Sequence, residues 1–274
     1  MKKSMILVMV LTLSVVMLFT GCGGNDKKAE TETFIVGLEA GYAPFNWTQK
    51  DASNGAVKID KSPEYAGGYD VEIAKKIAEG LGKELVIVKT EWDGLVPALI
   101  SKKIDGIIAG MSPTAERKET IDFSDNYYKS DLIMVVKKGG EYEKATQLSD
   151  FSGATVTAQL NTFHYSVISQ IEGVNKEVAM DNFPAMRVAL ESGMIDGYVS
   201  ERPEGVSASM ANDNFVVIDF TDGFVTSDDD TAIAVGLRKD SDLRDPINEV
   251  LKDISLEDQK KIMDEAIKNQ PSAD

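Results

Sequence analysis

The sequence predicts an α/β protein of two lobes, and three observations carry that expectation. From Thr33 onward, short β-branched apolar runs alternate with amphipathic helical patterns, which implies mostly parallel sheets with helices on their faces. The alternation starts afresh near Ala154, and one helix-turn-strand unit occurs twice. At 274 residues the chain is long enough for two lobes of roughly 100 to 130 residues each.

Residues 34–38 read as a buried strand. Asp70 is expected to cap a helix whose apolar positions Val71, Ala74, Ile77, Ala78 and Leu81 recur at three- and four-residue spacing and which stops at Gly80 and Gly82. A β-branched strand follows at 85–88, a short helix at 94–101 and a strand at 104–109. The second unit reads as strand 154–158, helix 162–171, strand 176–179, helix 184–191 and strand 195–199. Residues 98–109 (ALISKKIDGIIA) and 189–200 (ALESGMIDGYVS) agree at six of twelve positions. Duplication of a lobe, or Ile-Asp-Gly as a common helix-to-strand connector, explains the match equally, and both give two α/β units. A strand at 232–237 and closing helices at 245–253 and 256–268 are expected to return to the first lobe, leaving two crossings between lobes.

The N-terminus has a different grammar. Lys2 and Lys3 precede an uncharged stretch, 4–19, then Thr20-Gly21-Cys22-Gly23-Gly24 and a polar run. This is the layout of a secretory signal, and the stretch falls short of the roughly 20 apolar residues of a membrane span. Cys22 after a small pair resembles the lipobox of bacterial lipoproteins, although Phe19 stands where Leu is usual. The alternative is a plain secretory signal with a chance cysteine. The expected organisation is a signal peptide over 1–21, a tether over 22–33, lobe 1 over 34–126 plus 232–274, lobe 2 over 131–228, and hinges at 127–131 and 228–231. Lipid on Cys22 would hold the body at the extracellular face of the cell membrane.

Composition removes several functions. The net charge is −16 with a pI near 4.6, and scattered basic residues give no footing for a phosphate backbone. One cysteine and one histidine, His164, leave no internal disulfide and no His/Cys zinc set. The sequence has no Gly-rich phosphate loop and no Gly-x-Ser-x-Gly elbow. No cofactor and no metal are expected.

In open α/β sheets, ligands bind beyond the carboxyl ends of strands. The segments there are 39–47, 91–93 and 110–117 from one lobe and 159–163 and 200–202 from the other. They suit a zwitterion. Arg117 offers a fork of donors for a carboxylate, Ser112, Thr114 and Thr162 are expected at helix N-termini, and Glu201 can pair with an ammonium.

Gly68-Tyr69-Asp70-Val71-Glu72-Ile73-Ala74, Trp92-Asp93-Gly94-Leu95-Val96-Pro97-Ala98-Leu99, and above all Met111-Ser112-Pro113-Thr114-Ala115-Glu116-Arg117 with Ile121-Asp122-Phe123-Ser124 resemble the amino-acid-binding proteins of ABC importers, solute-binding protein family 3. The resemblance runs from about Phe34 to Ile267. It implies the two-lobed type II periplasmic-binding, or Venus-flytrap, fold. It also implies that Arg117 clamps the ligand α-carboxylate with Ser112 and Thr162 beside it, and that Glu201 and the Gly110 carbonyl take the α-ammonium. Trp92 and Tyr42 become aromatic walls, and Glu39 meets the ligand side chain. Leu160-Asn161 departs from the small residues usual before Thr162, and the loop over 49–64 is longer than usual.

Plainer readings accompany each residue. An Arg with acids nearby is commonly a surface ion pair; Trp92, Tyr42 and Phe45 could be core packing, Asp228 to Asp230 a solvated turn, and His164 a helix-surface residue. The leading functional expectation is a monomeric, lipid-anchored receptor delivering a polar amino acid to an ABC permease, arginine or another basic residue first and glutamine second. An enzymatic alternative is a dehydratase of the same fold, with Glu39 or Glu201 as general acid or base. A sensory domain is disfavoured because no span or catalytic module follows the second lobe.

Overall fold

A computed structural model describes residues 32–271; Cys22, the signal sequence and most of the tether lie outside the described residues. The chain enters through β1 (Thr33–Leu38), whose Phe34, Val36 and Leu38 are fully buried. Short strands β2 (Gly41–Tyr42), β3 (Asn46–Gln49), β4 (Val57–Lys58) and β5 (Tyr65–Gly67) form a small antiparallel sheet in the order β2-β3-β5-β4. The long segment over 49–64 is therefore folded back on itself, and Ile59 bridges to Ile87.

Helix α1 (Tyr69–Gly80) buries the apolar stripe read from its spacing, but Asp70 is not its cap. Gly68 holds that position at φ 120°, where an added Cβ would lie 2.4 Å from the Phe45 carbonyl oxygen. Asp70 sits one residue into the helix, fully buried, because Asn46 and Tyr127 engage its carboxyl from the core.

Strand β6 (Glu84–Lys89), helix α2 (Trp92–Ile100), strand β7 (Gly106–Ile107), helix α3 (Ala115–Thr120) and strand β8 (Asp122–Lys129) follow. Helix α2 starts two residues before the expected Gly94. Gly94 is small because Thr90 approaches to 2.9 Å of where its Cβ would stand; it does not mark a boundary.

The chain then builds β9 (Leu132–Lys137), β10 (Thr155–Thr157), α4 (Phe163–Val167), β11 (Asn175–Lys176), α5 (Phe183–Ser192), β12 (Gly197–Glu201), α6 (Arg202–Ala211) and β13 (Phe215–Ile218). The helix expected over 162–171 breaks after Val167 into a 3-10 turn. Strand β14 (Ala232–Leu237) and helices α7 (Arg244–Lys252) and α8 (Leu256–Asn269) complete the body.

Two five-stranded sheets result, β6-β1-β7-β14-β8 and β11-β10-β12-β9-β13. Each has three parallel strands followed by two joined antiparallel. The chain passes from the first sheet to the second between Lys129 and Leu132 and returns between Ile218 and Ala232, so the fold is two-lobed with two crossings. The closing helices pack on α1 of the first lobe.

The internal sequence match falls at equivalent places, α2 to β7 and α5 to β12, and its physical content is local. Lys102 and Gly193 both turn with positive φ, 61° and 76°. Ile104 and Ile195 both plug the core. Asp105 Oδ2 accepts the Ile35 N–H at 3.1 Å, as Asp196 Oδ2 accepts the Thr155 N–H at 2.8 Å. The glycines that follow allow Phe34 and Met134 to close within 3.2 and 3.0 Å of their missing Cβ positions.

Candidate ligand-binding cleft

Both sheets turn the carboxyl ends of their parallel strands toward one cleft. Leaving β1, the chain places Glu39 and then Ala40, which turns at φ 54° and aims Tyr42 inward. Trp92 comes from the first residue of α2. Leaving β7, Gly110 turns at φ 62°, and a Cβ there would stand 2.6 Å from the Tyr42 ring; buried Ser112 follows. Helix α3 presents Arg117, its start capped by Thr114 Oγ1, which accepts the Arg117 N–H at 3.4 Å. The second sheet supplies Gln159, Asn161 and Thr162 beyond β10, His164 from α4, Phe183 from α5 and Glu201 from the end of β12.

A buried network fixes two of these turns. Asp70 Oδ1 accepts from the Tyr127 hydroxyl and Oδ2 from Asn46 Nδ2, both at 2.8 Å. Tyr127 in turn accepts the Gly110 N–H at 3.3 Å, and Asn46 Oδ1 accepts the Ala40 N–H at 2.8 Å. Burial raises the Asp70 pKa to about 7 even though these hydrogen bonds favour the charged form.

The cleft is shut by contacts between lobes. Tyr42 donates to Glu201 Oε2 at 2.7 Å, Gln159 Nε2 to Glu39 Oε1 at 3.0 Å, Arg117 Nη2 to the Asn161 carbonyl at 3.1 Å, and Asn161 Nδ2 to Asp93 Oδ1 at 2.8 Å. Tyr42 stacks on Phe183 with centroids 4.3 Å apart, and the Arg117 guanidinium lies over Trp92 at 5.0 Å. The inner space bounded by Tyr42, Gln159, His164 and Phe183 holds about 10 Å³, room for one water and not for an amino acid, and an open cavity of about 850 Å³ adjoins it past Trp92, Arg117 and Thr162.

Several buried polar atoms carry no partner: Glu39 Oε2, Glu201 Oε1, Ser200 Oγ and both ring nitrogens of His164. Glu204 Oε2 shares this state away from the cleft, but native interiors satisfy most such atoms, so Glu39, His164 and Glu201 together offer polar groups to a molecule from outside the chain. Burial raises Glu39 to about 7 and holds Arg117 down to about 10, where the guanidinium stays charged at neutral pH. Burial next to Glu201 pushes the Tyr42 hydroxyl well up, so it remains a donor.

Glu39, Tyr42, Trp92, Gly110, Ser112, Arg117, Thr162 and Glu201 all converge on this cleft. Two expectations need correction, those for Ser112 and His164. Ser112 does not start a helix, because α3 begins at Ala115; its carbonyl accepts from Arg117 Nη1 at 2.9 Å. Thr162 stands at the N-terminus of α4 as expected, and its hydroxyl donates to the Gln159 carbonyl at 2.7 Å. His164 is 6% exposed, not on the surface, because the short helix turns it toward Glu201. The grip of Asn161 and the wall made by Phe183 escaped the sequence reading. Asn161, at φ 54°, belongs to the few residue types that tolerate that conformation, which was a usable signal; Phe183 offered none.

Two lobes shutting on a cleft of buried charged and aromatic side chains are the architecture of a solute-binding protein. The chain belongs to the bacterial extracellular solute-binding proteins, family 3, whose family model matches residues 34–268. Its sequence is 29% identical over 273 residues to the arginine-binding extracellular protein ArtP of Bacillus subtilis (strain 168), covering 93% of each chain. An amino acid ABC transporter substrate-binding protein from Streptococcus pneumoniae Canada MDR_19A, solved bound to L-arginine, superposes with a TM-score of 0.76 at 28% identity, covering 86% of this chain and 94% of that one. An ancestral arginine-binding protein bound to glutamine gives 0.69 at 31% identity, covering 84% and 95%.

Proposed function

We propose that the protein captures a basic amino acid, arginine before lysine or histidine, outside the cell and hands it to an ABC permease. The carrying observation is Glu39, a buried carboxyl with one oxygen on Gln159 and the other free, in a cleft walled by Trp92 and Tyr42. In this reading the lobes open at the two crossings and reclose on the solute. Arg117 leaves the Asn161 carbonyl to clamp the α-carboxylate, with Ser112 and Thr162 alongside. Glu201 and the Gly110 carbonyl take the α-ammonium. The guanidinium lies against aromatic faces and pairs with Glu39. The arginine-binding ArtP and the L-arginine-bound streptococcal relative support the same ligand.

A second reading, glutamine, is favoured by one observation. Near pH 7 the Glu39 carboxyl is only partly ionised, so it can exchange hydrogen bonds with a neutral amide, and one arginine-binding relative was solved with glutamine. Cys22 carries the lipid in this account and the working form is a monomer. Calorimetric titration with arginine, lysine, histidine and glutamine tests the assignment: tight arginine binding supports it, and tight glutamine binding with arginine silent would replace it.

A further inference from the structure

The sole histidine of the chain lies where no surface role can account for it. His164 is 6% exposed, both ring nitrogens lack partners, and it lines the same small cavity as Arg117, Tyr42 and Gln159. Its Nε2 stands 3.8 Å from Glu201 Oε1. That oxygen is the free one, since Tyr42 occupies Oε2 at 2.7 Å. Glu201 of β12 faces the imidazole, Tyr42 of β2 and Arg117 of α3 are the other titratable or charged groups lining its cavity, and the rest of that lining, Trp92 and Gln159 included, does not titrate.

We propose that His164 is a binding residue of the ammonium subsite, competing as imidazolium with the ligand α-ammonium for Glu201 Oε1, so that capture of an amino acid expels a proton. The inference rests on the proposed reading that an α-amino acid enters the cleft. One buried carboxylate oxygen cannot serve two cations at contact distance without leaving like charges side by side. With the ammonium in place, the imidazole is held neutral and its proton leaves to solvent. One cation enters as one proton departs, and the local charge is conserved. Binding then weakens as pH falls, for any α-amino acid and independently of its side chain.

Because the chain has one histidine, its ring C–H resonances report on this group alone. At pH 6, titration of the purified protein with arginine, lysine and glutamine is expected to move those resonances toward their position at high pH for every amino acid that calorimetry finds bound. Nα-acetylarginine, which lacks the ammonium, should not move them that way. In calorimetry, Glu39→Gln should lose at least about fivefold in affinity between pH 8 and pH 6, and adding His164→Gln should flatten that loss. Unmoved resonances with a bound amino acid, or the same pH dependence with and without the imidazole, would overturn the proposal. Absence of heat with every amino acid would remove the proposed function, and this inference with it, and calorimetry alone tells that result apart.

Discussion

Glu39 serves binding and stability in opposite directions. Burial lifts its pKa from 4.5 to about 7, so the folded chain holds its proton more tightly than the unfolded one. Stability from that preference is complete below the unfolded value and is lost as pH rises through about 7. Glu39→Gln should accordingly stabilise the protein at pH 8 by about 1 to 3 kcal/mol, one pKa unit being worth about 1.4 kcal/mol. At pH 5 it should change stability little. Urea unfolding at the two pH values reads the difference, and equal effects at both would contradict a strongly raised carboxyl. Arg117 presents the opposite case, a charge useful only with a partner. Arg117→Ala should weaken amino-acid binding by about 2 to 5 kcal/mol, the usual result of stranding a desolvated charge, whereas a surface ion pair would give below about 1 kcal/mol. Calorimetry on the variant, with circular dichroism to verify the fold, separates the two.

The segment between β10 and α4 carries two of the hydrogen bonds across the cleft. Asn161 turns there with φ 54°, directs its carbonyl at Arg117 and its amide at Asp93, and delivers Thr162 and His164 to the cleft. Asn161→Gly keeps the turn and should leave affinity within about threefold. Asn161→Val places a β-branched residue in a region that costs it roughly 1 to 2 kcal/mol and should weaken binding about tenfold; equal affinities for the two variants would show that the turn does not govern closure. Elements were legible where periodicity was strong, as in α1 and α8, and where a short motif had a single physical use, as Ile-Asp-Gly before β7 and β12. Boundaries failed where tertiary contacts decided. Gly68 displaced Asp70 as the cap because the Phe45 backbone passes too close for any Cβ, and the helix after Thr162 stopped at Val167. The cleft was legible through strand ends and the Arg117 segment. His164 was misread because nothing in local spacing reveals that a five-residue helix rotates one side chain toward a strand of the same lobe.

At the scale of the molecule, two lobes with matched sheets meet over polar contacts and are joined by two crossings; in the proposed function a solute replaces those contacts when the lobes part. The acidic turn at the return crossing is stitched by exposed pairs, Lys129 with Asp228 and Lys118 with Asp229, each at 2.6 Å, and such pairs are individually weak. Attachment to the membrane is separate from binding in this account. Cys22→Ala should release the protein from the membrane fraction to the medium without changing its affinity, and equal retention of both forms would argue against the lipid. The central claim, that the cleft reads a cationic side chain through Glu39, is tested most directly by titration calorimetry of the wild-type protein and Glu39→Gln with arginine and with glutamine. The wild type should bind arginine tightly and lose at least roughly tenfold, about 1.4 kcal/mol, on removal of the carboxylate, with little change for glutamine. Arginine binding untouched by Glu39→Gln, or tight glutamine binding by a wild type that ignores arginine, would contradict it.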